Sequence, residues 1–243
     1  LLDASDRGAS DLTVAGKLFC DRFPPDKIPA LPTCGIFLRR EFPLKNNLEF
    51  PEGIHPCEDG LFSHFVLALT EKISFCPEAV YHYRQHEQGN HHQIRKRTAD
   101  ILPMIPRWLS LIEEFYEQRH LWKRKAGHLV RFIEHEPFEL RLLGMPFSPP
   151  EQEILYSIIR DFLTAHCTAA ECRRASLHLP FRLLLQSSGF SDFGRRLRRA
   201  GKNTGIRRKL LHFCPVPSWR RNGRAQLRQV REQLEEIRRN ITF

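Results

Sequence analysis

Several things are missing from this chain of 243 residues, and each absence excludes something. No apolar run approaches the length that a bilayer-spanning helix needs, so no transmembrane segment is expected. The start, Leu1-Leu2-Asp3-Ala4-Ser5-Asp6, has neither a basic stretch nor an apolar core, so it does not read as a signal peptide. It also lacks a starting Met, and the chain is read as a fragment or processed form. Seven cysteines are scattered at 20, 34, 57, 76, 167, 172 and 214 with no Cys-x-x-Cys pair, which argues against a zinc finger or ribbon. Cys167 and Cys172, five residues apart, could share a helix near His166, but small buried thiols in a reducing cytosol are the expectation. There is no internal repeat and no low-complexity tract.

What is present is enough for a core. Hydrophobic residues make up 41% of the chain and charged residues 27%, a balance that argues against wholesale disorder. The net charge of +10 and the pI near 9.6 predict attraction to anionic partners. Much of that charge lies between Gly194 and Lys209, which holds Arg195, Arg196, Arg198, Arg199, Lys202, Arg207, Arg208 and Lys209. Aromatic residues are not interleaved there, so nucleic acid is not the expected partner. An anionic membrane surface is ranked ahead of it, beside the plain alternative of a solvated basic face.

Periodicity divides the chain in two. Leu12, Ala15, Leu18 and Phe19 share a helical face, which predicts a short helix over 11–23. A turn-rich segment, Pro51-Glu52-Gly53-Ile54-His55-Pro56, precedes the acidic pair Glu58-Asp59. Leu61, Phe62, Phe65, Val66 and Leu69 then repeat at helical spacing, so a helix starts at or just after Asp59. Carboxylates suit that positive end of a helix dipole without any catalysis. Ile73–Cys76 and Ala79–Tyr83 read as two short strands around Pro77. Beyond about residue 98 the pattern is helical: 101–119, 121–136, a helix from Glu151 to about His166, and one or two short helices over 169–185 interrupted at Pro180. Leu227, Val230, Leu234, Ile237 and Ile241 form a two-heptad seam over 224–241. So short a seam needs a partner helix, from this chain or by self-association. The fold class expected is α/β with few strands, followed by a mainly helical C-terminal region: an α/β part over 1–97 and a helical domain over 98–243.

Three blocks carry a resemblance. Leu38-Arg39-Arg40-Glu41-Phe42 comes first. Leu48-Glu49-Phe50-Pro51-Glu52-Gly53-Ile54 follows, with Glu58-Asp59-Gly60-Leu61-Phe62 behind it. The third runs from Lys72-Ile73 through Pro77-Glu78 to Tyr81-His82-Tyr83-Arg84. In order and spacing they resemble the second half of the catalytic domain of family 2 glycosyltransferases with the GT-A fold, over roughly the first ninety residues. Two departures stand out. Cys34-Gly35-Ile36 lies where relatives often have Trp-Asn-Lys, and Gly89-Asn90 where Gly-Ser is common.

The resemblance implies an inverting sugar transfer from a nucleotide-sugar donor to a saccharide or lipid-linked acceptor, of the kind that builds bacterial envelope polysaccharides. Asp59 would be the general base, with Glu58 positioning it or the acceptor. His82, Tyr83, Arg84 and His86 would line the substrate groove or offset leaving-group charge. The family uses a divalent metal, Mg or Mn, held by an Asp-x-Asp motif in a nucleotide-binding half that precedes this region; its ligands are not visible in this chain. The location implied is cytoplasmic, peripheral on the inner face of the membrane. The alternative is a non-enzymatic helical module that docks on an anionic membrane or a partner protein.

Overall fold

Leu12-Thr13-Val14 alternates in burial, Leu12 and Val14 inward and Thr13 half-exposed, and the chain there is a strand rather than the expected helix. The structure, a computed structural model, describes residues 10–15, 28, 30–31, 33–70, 72–76, 78–79, 94, 97–212 and 228. β1 (Leu12–Ala15) is the middle strand of a three-stranded sheet. It pairs antiparallel with β2 (Ile36–Leu38), Thr13 opposite Phe37, and parallel with β3 (Ile73–Cys76), Thr13 beside Ser74. The Thr13 and Ser74 hydroxyls hydrogen-bond at 2.7 Å. Strand pairing on both sides satisfies the backbone groups of these residues, and β-branched Thr13 and Val14 suit a pleated, half-buried surface. That outweighs the weak helical spacing of Leu12 and Ala15; the rest of the expected helix, 16–23, lies outside the described residues. The second expected strand, over 79–83, lies outside the described residues beyond Ala79.

α1 (Glu41–Lys45) is a short exposed helix, and α2 (Glu58–Leu69) begins at the acidic pair as expected. Every residue of α2 from Gly60 to Ala68 is buried. A helix enclosed on all sides cannot be amphipathic, and its sequence shows only a weak apolar stripe. It packs against the turn at Thr33–Gly35 and against two further helices. These are α4 (Met104–Gln118), which follows the single turn α3 (Thr98–Ile101), and α5 (Trp122–Ile133). Pro103 separates α3 from α4, where one helix was expected over 101–119. Trp108 is fully buried, as its position in the apolar stripe predicts.

An aromatic stack forms the centre of this packing. The His64 ring of α2 lies parallel to that of His128 at 4.3 Å and to that of Tyr116 at 5.8 Å, with Phe132 tilted at 4.3 Å. The polar atoms are accounted for: the Tyr116 hydroxyl bonds His64 Nε2 at 3.1 Å, and His128 Nε2 donates to the His64 carbonyl at 3.1 Å. Burial holds His128 neutral, with its pKa pushed down to about 3.

A π-helix, Glu134–Leu143, follows α5 and contains Pro137. A proline donates no backbone hydrogen bond, so a regular α-helix cannot run through it unchanged. The chain falls into two compact units that divide here, 1–136 and 137–243. The strands end before residue 98, and α4 and α5 are part of the first unit.

The second unit is helical among its described residues: α6 (Pro149–His166), α7 (Ala169–Ala175), α8 (Leu179–Gln186) and α9 (Phe190–His212). Phe138, Leu155, Ile159, Phe181 and Phe193 are buried in its core. Capping boxes start α6, through Ser148 and Glu151, and α7, through Thr168 and Glu171. Pro180 lies in the first turn of α8, where a missing N–H costs nothing, so it begins a helix instead of interrupting one. The basic segment 194–209 lies within α9. The heptad seam over 224–241 lies outside the described residues apart from Arg228.

Candidate active site

The loop before α2 sets the position of the acidic pair. His55-Pro56 is a cis peptide, and Cys57, the residue before the helix, has φ 91°, a left-handed conformation that costs a non-glycine residue energy. Glu58 and Asp59 follow as the first two residues of α2, both half-exposed. There the free N–H groups of the helix start favour negative charge. Asp59 Oδ1 accepts from the Gly60 N–H at 2.8 Å. Glu58 faces His55, Oε1 to Nδ1 at 3.3 Å, in an exposed pair of small energetic weight. Phe50 stacks on Phe62 at 4.1 Å, tying the preceding loop to the first turns of α2.

A third carboxylate completes the cluster. Glu136, in the π-helix and 7% exposed, lies over Gly60: a Cβ built there would stand 3.1 Å from its Oε1 and 3.0 Å from Cys57 Sγ. The absence of a side chain at residue 60 therefore lets the Glu136 carboxylate approach the start of α2. Asp59 feels this. Its pKa is raised above the ordinary carboxylate value, first by burial, then by the charges of Glu136 and Glu58, against the lowering effect of the Gly60 hydrogen bond. The arrangement is chemically suited to accepting a proton, since two neighbouring negative charges and partial burial raise the basicity of Asp59.

Of the residues expected to form a site, Glu58 and Asp59 are adjacent at the start of α2. His82, Tyr83, Arg84 and His86 lie outside the described residues. Sequence reasoning did not find Glu136 or the role of Gly60. Glu136 carries no local signal, because its approach to Asp59 depends on how α5 and the π-helix pack beside α2. Among the described residues, no three His, Cys, Asp or Glu side chains are grouped to hold a metal ion.

Comparison of the chain with protein-family models, with curated proteins and with solved structures returned no match.

Proposed function

We propose that this chain carries the acceptor-side part of a family 2-like glycosyltransferase, with Asp59 as its general base. The observation that carries the reading is the position and basicity of Asp59: a half-buried carboxylate at the start of a buried helix, raised in pKa, within the motif blocks that resemble that family. In the reaction, the acceptor hydroxyl oxygen attacks the anomeric carbon of a nucleotide sugar. Asp59 takes the hydroxyl proton as the new C–O bond forms. The bond from that carbon to the diphosphate breaks from the opposite side, so configuration inverts and a nucleoside diphosphate leaves. A base whose pKa is raised toward the working pH holds the transferred proton better than an ordinary aspartate. Partial burial first, and then the charges of Glu136 and Glu58, keep it so. The family's divalent metal would offset the charge on the departing diphosphate.

The test is sugar transfer, or donor hydrolysis, with a panel of nucleotide sugars on the full-length gene product. Transfer by the natural protein and its loss in Asp59→Asn is the expected result. Full activity of Asp59→Asn would remove Asp59 from the role, and inactivity toward every donor would remove the enzymatic reading.

A second reading has its own observation. α9 presents Arg195, Arg198 and Arg199 as exposed residues, with Arg196 half-exposed. Asp192 neutralises part of this charge, bonded to Arg195 at 3.2 Å and to Arg196 at 2.8 Å. This exposed basic face suits an anionic membrane surface or an acidic partner protein, on which a non-enzymatic helical module would dock.

A further inference from the structure

The spacing of Cys167 and Cys172 allowed them to share one helix, and they do not. Cys167 is the residue just past α6, in an extended conformation with φ −133° and ψ 140°. Thr168 is the N-cap of α7 and is also extended, so the chain turns a corner between the two helices. The capping box closes that corner: the Thr168 hydroxyl accepts from the Glu171 N–H at 3.2 Å, and Glu171 Oε2 accepts from the Thr168 N–H at 2.8 Å. Counted from this cap, Cys167 is the residue before it and Cys172 the fourth residue of the helix. These are the two positions whose apolar side chains pack together as a hydrophobic staple across a helix start. Here both staple positions carry thiols. Cys167 is half-exposed and Cys172 is buried, and neither is in a disulfide.

We propose that Cys167 and Cys172 are a reversible dithiol–disulfide pair, a redox staple across the first turn of α7 that takes low-molecular-weight disulfides as its oxidant. The thiolate form of Cys167, the accessible member, attacks one sulfur of an external disulfide R–S–S–R; one RS⁻ leaves and takes up a proton as RSH. Cys172, deprotonated in turn, attacks the Cys167 sulfur of this mixed disulfide, forming the internal disulfide and displacing the second R group as RS⁻, which is protonated to RSH. Two cysteine sulfurs are oxidised and one external disulfide is reduced to two thiol equivalents. The product locks the corner between α6 and α7 with a covalent bond. In a reducing compartment the staple rests as two thiols.

The probe is oxidised glutathione on the purified chain, followed by digestion and mass mapping without reductant. The expected product is a cross-link between Cys167 and Cys172, lighter than the dithiol by two hydrogen atoms and reversed by dithiothreitol. In Cys172→Ser the reaction should stop at a glutathione adduct on Cys167, with no cross-link. A stable glutathione adduct on Cys167 in the unmutated chain would overturn the proposal. So would cross-links confined to other cysteines, or no reaction at either thiol. Because the decisive product forms in the unmutated chain, the outcome does not depend on how the variant folds.

Discussion

Asp59 shows how much one residue owes to its neighbours. The sequence places it at a helix start, where a carboxylate is ordinary. What makes it basic is burial together with Glu136 and Glu58. Replacement by Asn keeps the shape and removes the base, so transfer should fall by roughly 10²–10⁴-fold while the far-ultraviolet circular dichroism stays unchanged. Glu136→Gln tests the neighbour. It removes a negative charge that disfavours ionised Asp59, so the Asp59 pKa should fall. Carbon-13 NMR titration of the Asp59 carboxyl reads that directly. In turnover, the acid limb of the kcat/KM profile should move to lower pH by the same amount. An unchanged titration would show that the Glu136 charge does not reach Asp59, whether or not the chain is an enzyme. The acidic pair was legible from its place ahead of an apolar helical repeat. Glu136 was not, because nothing in a linear pattern records which π-helix residue packs over a glycine in another helix.

Among the elements, the helices of the second unit follow local rules closely. Ser148 precedes Pro149 and Pro150, and its N–H and hydroxyl both donate to Glu151 Oε2 at 2.7 Å. These hydrogen bonds also hold the exposed Glu151 carboxyl below its ordinary pKa. Ser148→Ala should cost about 0.5–2 kcal/mol, read as a lower urea midpoint with an unchanged slope. Such caps are legible because they join residues three apart. The strand β1 was misread for the converse reason. The shared helical face of Leu12, Ala15, Leu18 and Phe19 favours a helix, whereas the partners that make 12–15 a strand, Ile36–Leu38 and Ile73–Cys76, are remote in sequence. The enclosed helix α2 shows the same limit: the spacing of Leu61, Phe62, Phe65, Val66 and Leu69 made its existence clear, but not that nearly all of it would be buried.

At the scale of the whole molecule, two predictions concern charge. His128 is neutral in the fold, with a pKa of about 3 against 6.5 for an ordinary histidine. Its folded pKa is depressed, so its contribution to stability is complete above pH 6.5 and is lost as pH falls from there toward about 3. Within that window each pH unit should remove about 1.4 kcal/mol, before other groups add their own effects. Urea unfolding at pH 7 and at pH 5 would reveal it, and equal stabilities would mean that His128 titrates normally. The second prediction concerns the net charge of +10. Co-sedimentation with anionic vesicles should be strong at low salt and fade as ionic strength rises, each engaged basic residue contributing about 1 kcal/mol near the surface. Absence of binding at low salt would remove the membrane reading. Among the described residues no helix is long and apolar enough to cross a membrane.

The helix-dominated architecture with few strands was determined by the sequence itself, as was a helix start at the acidic pair. Each rests on contacts between residues three or four apart, and such contacts leave a period or a capping signature in the chain. Tertiary structure alone decided that 12–15 is a strand, that His64, Tyr116 and His128 stack in one buried column, and that Glu136 raises the basicity of Asp59. Those outcomes depend on which distant segments meet, and the free energy of meeting comes from burial and pairing shared across the fold, which no local window contains.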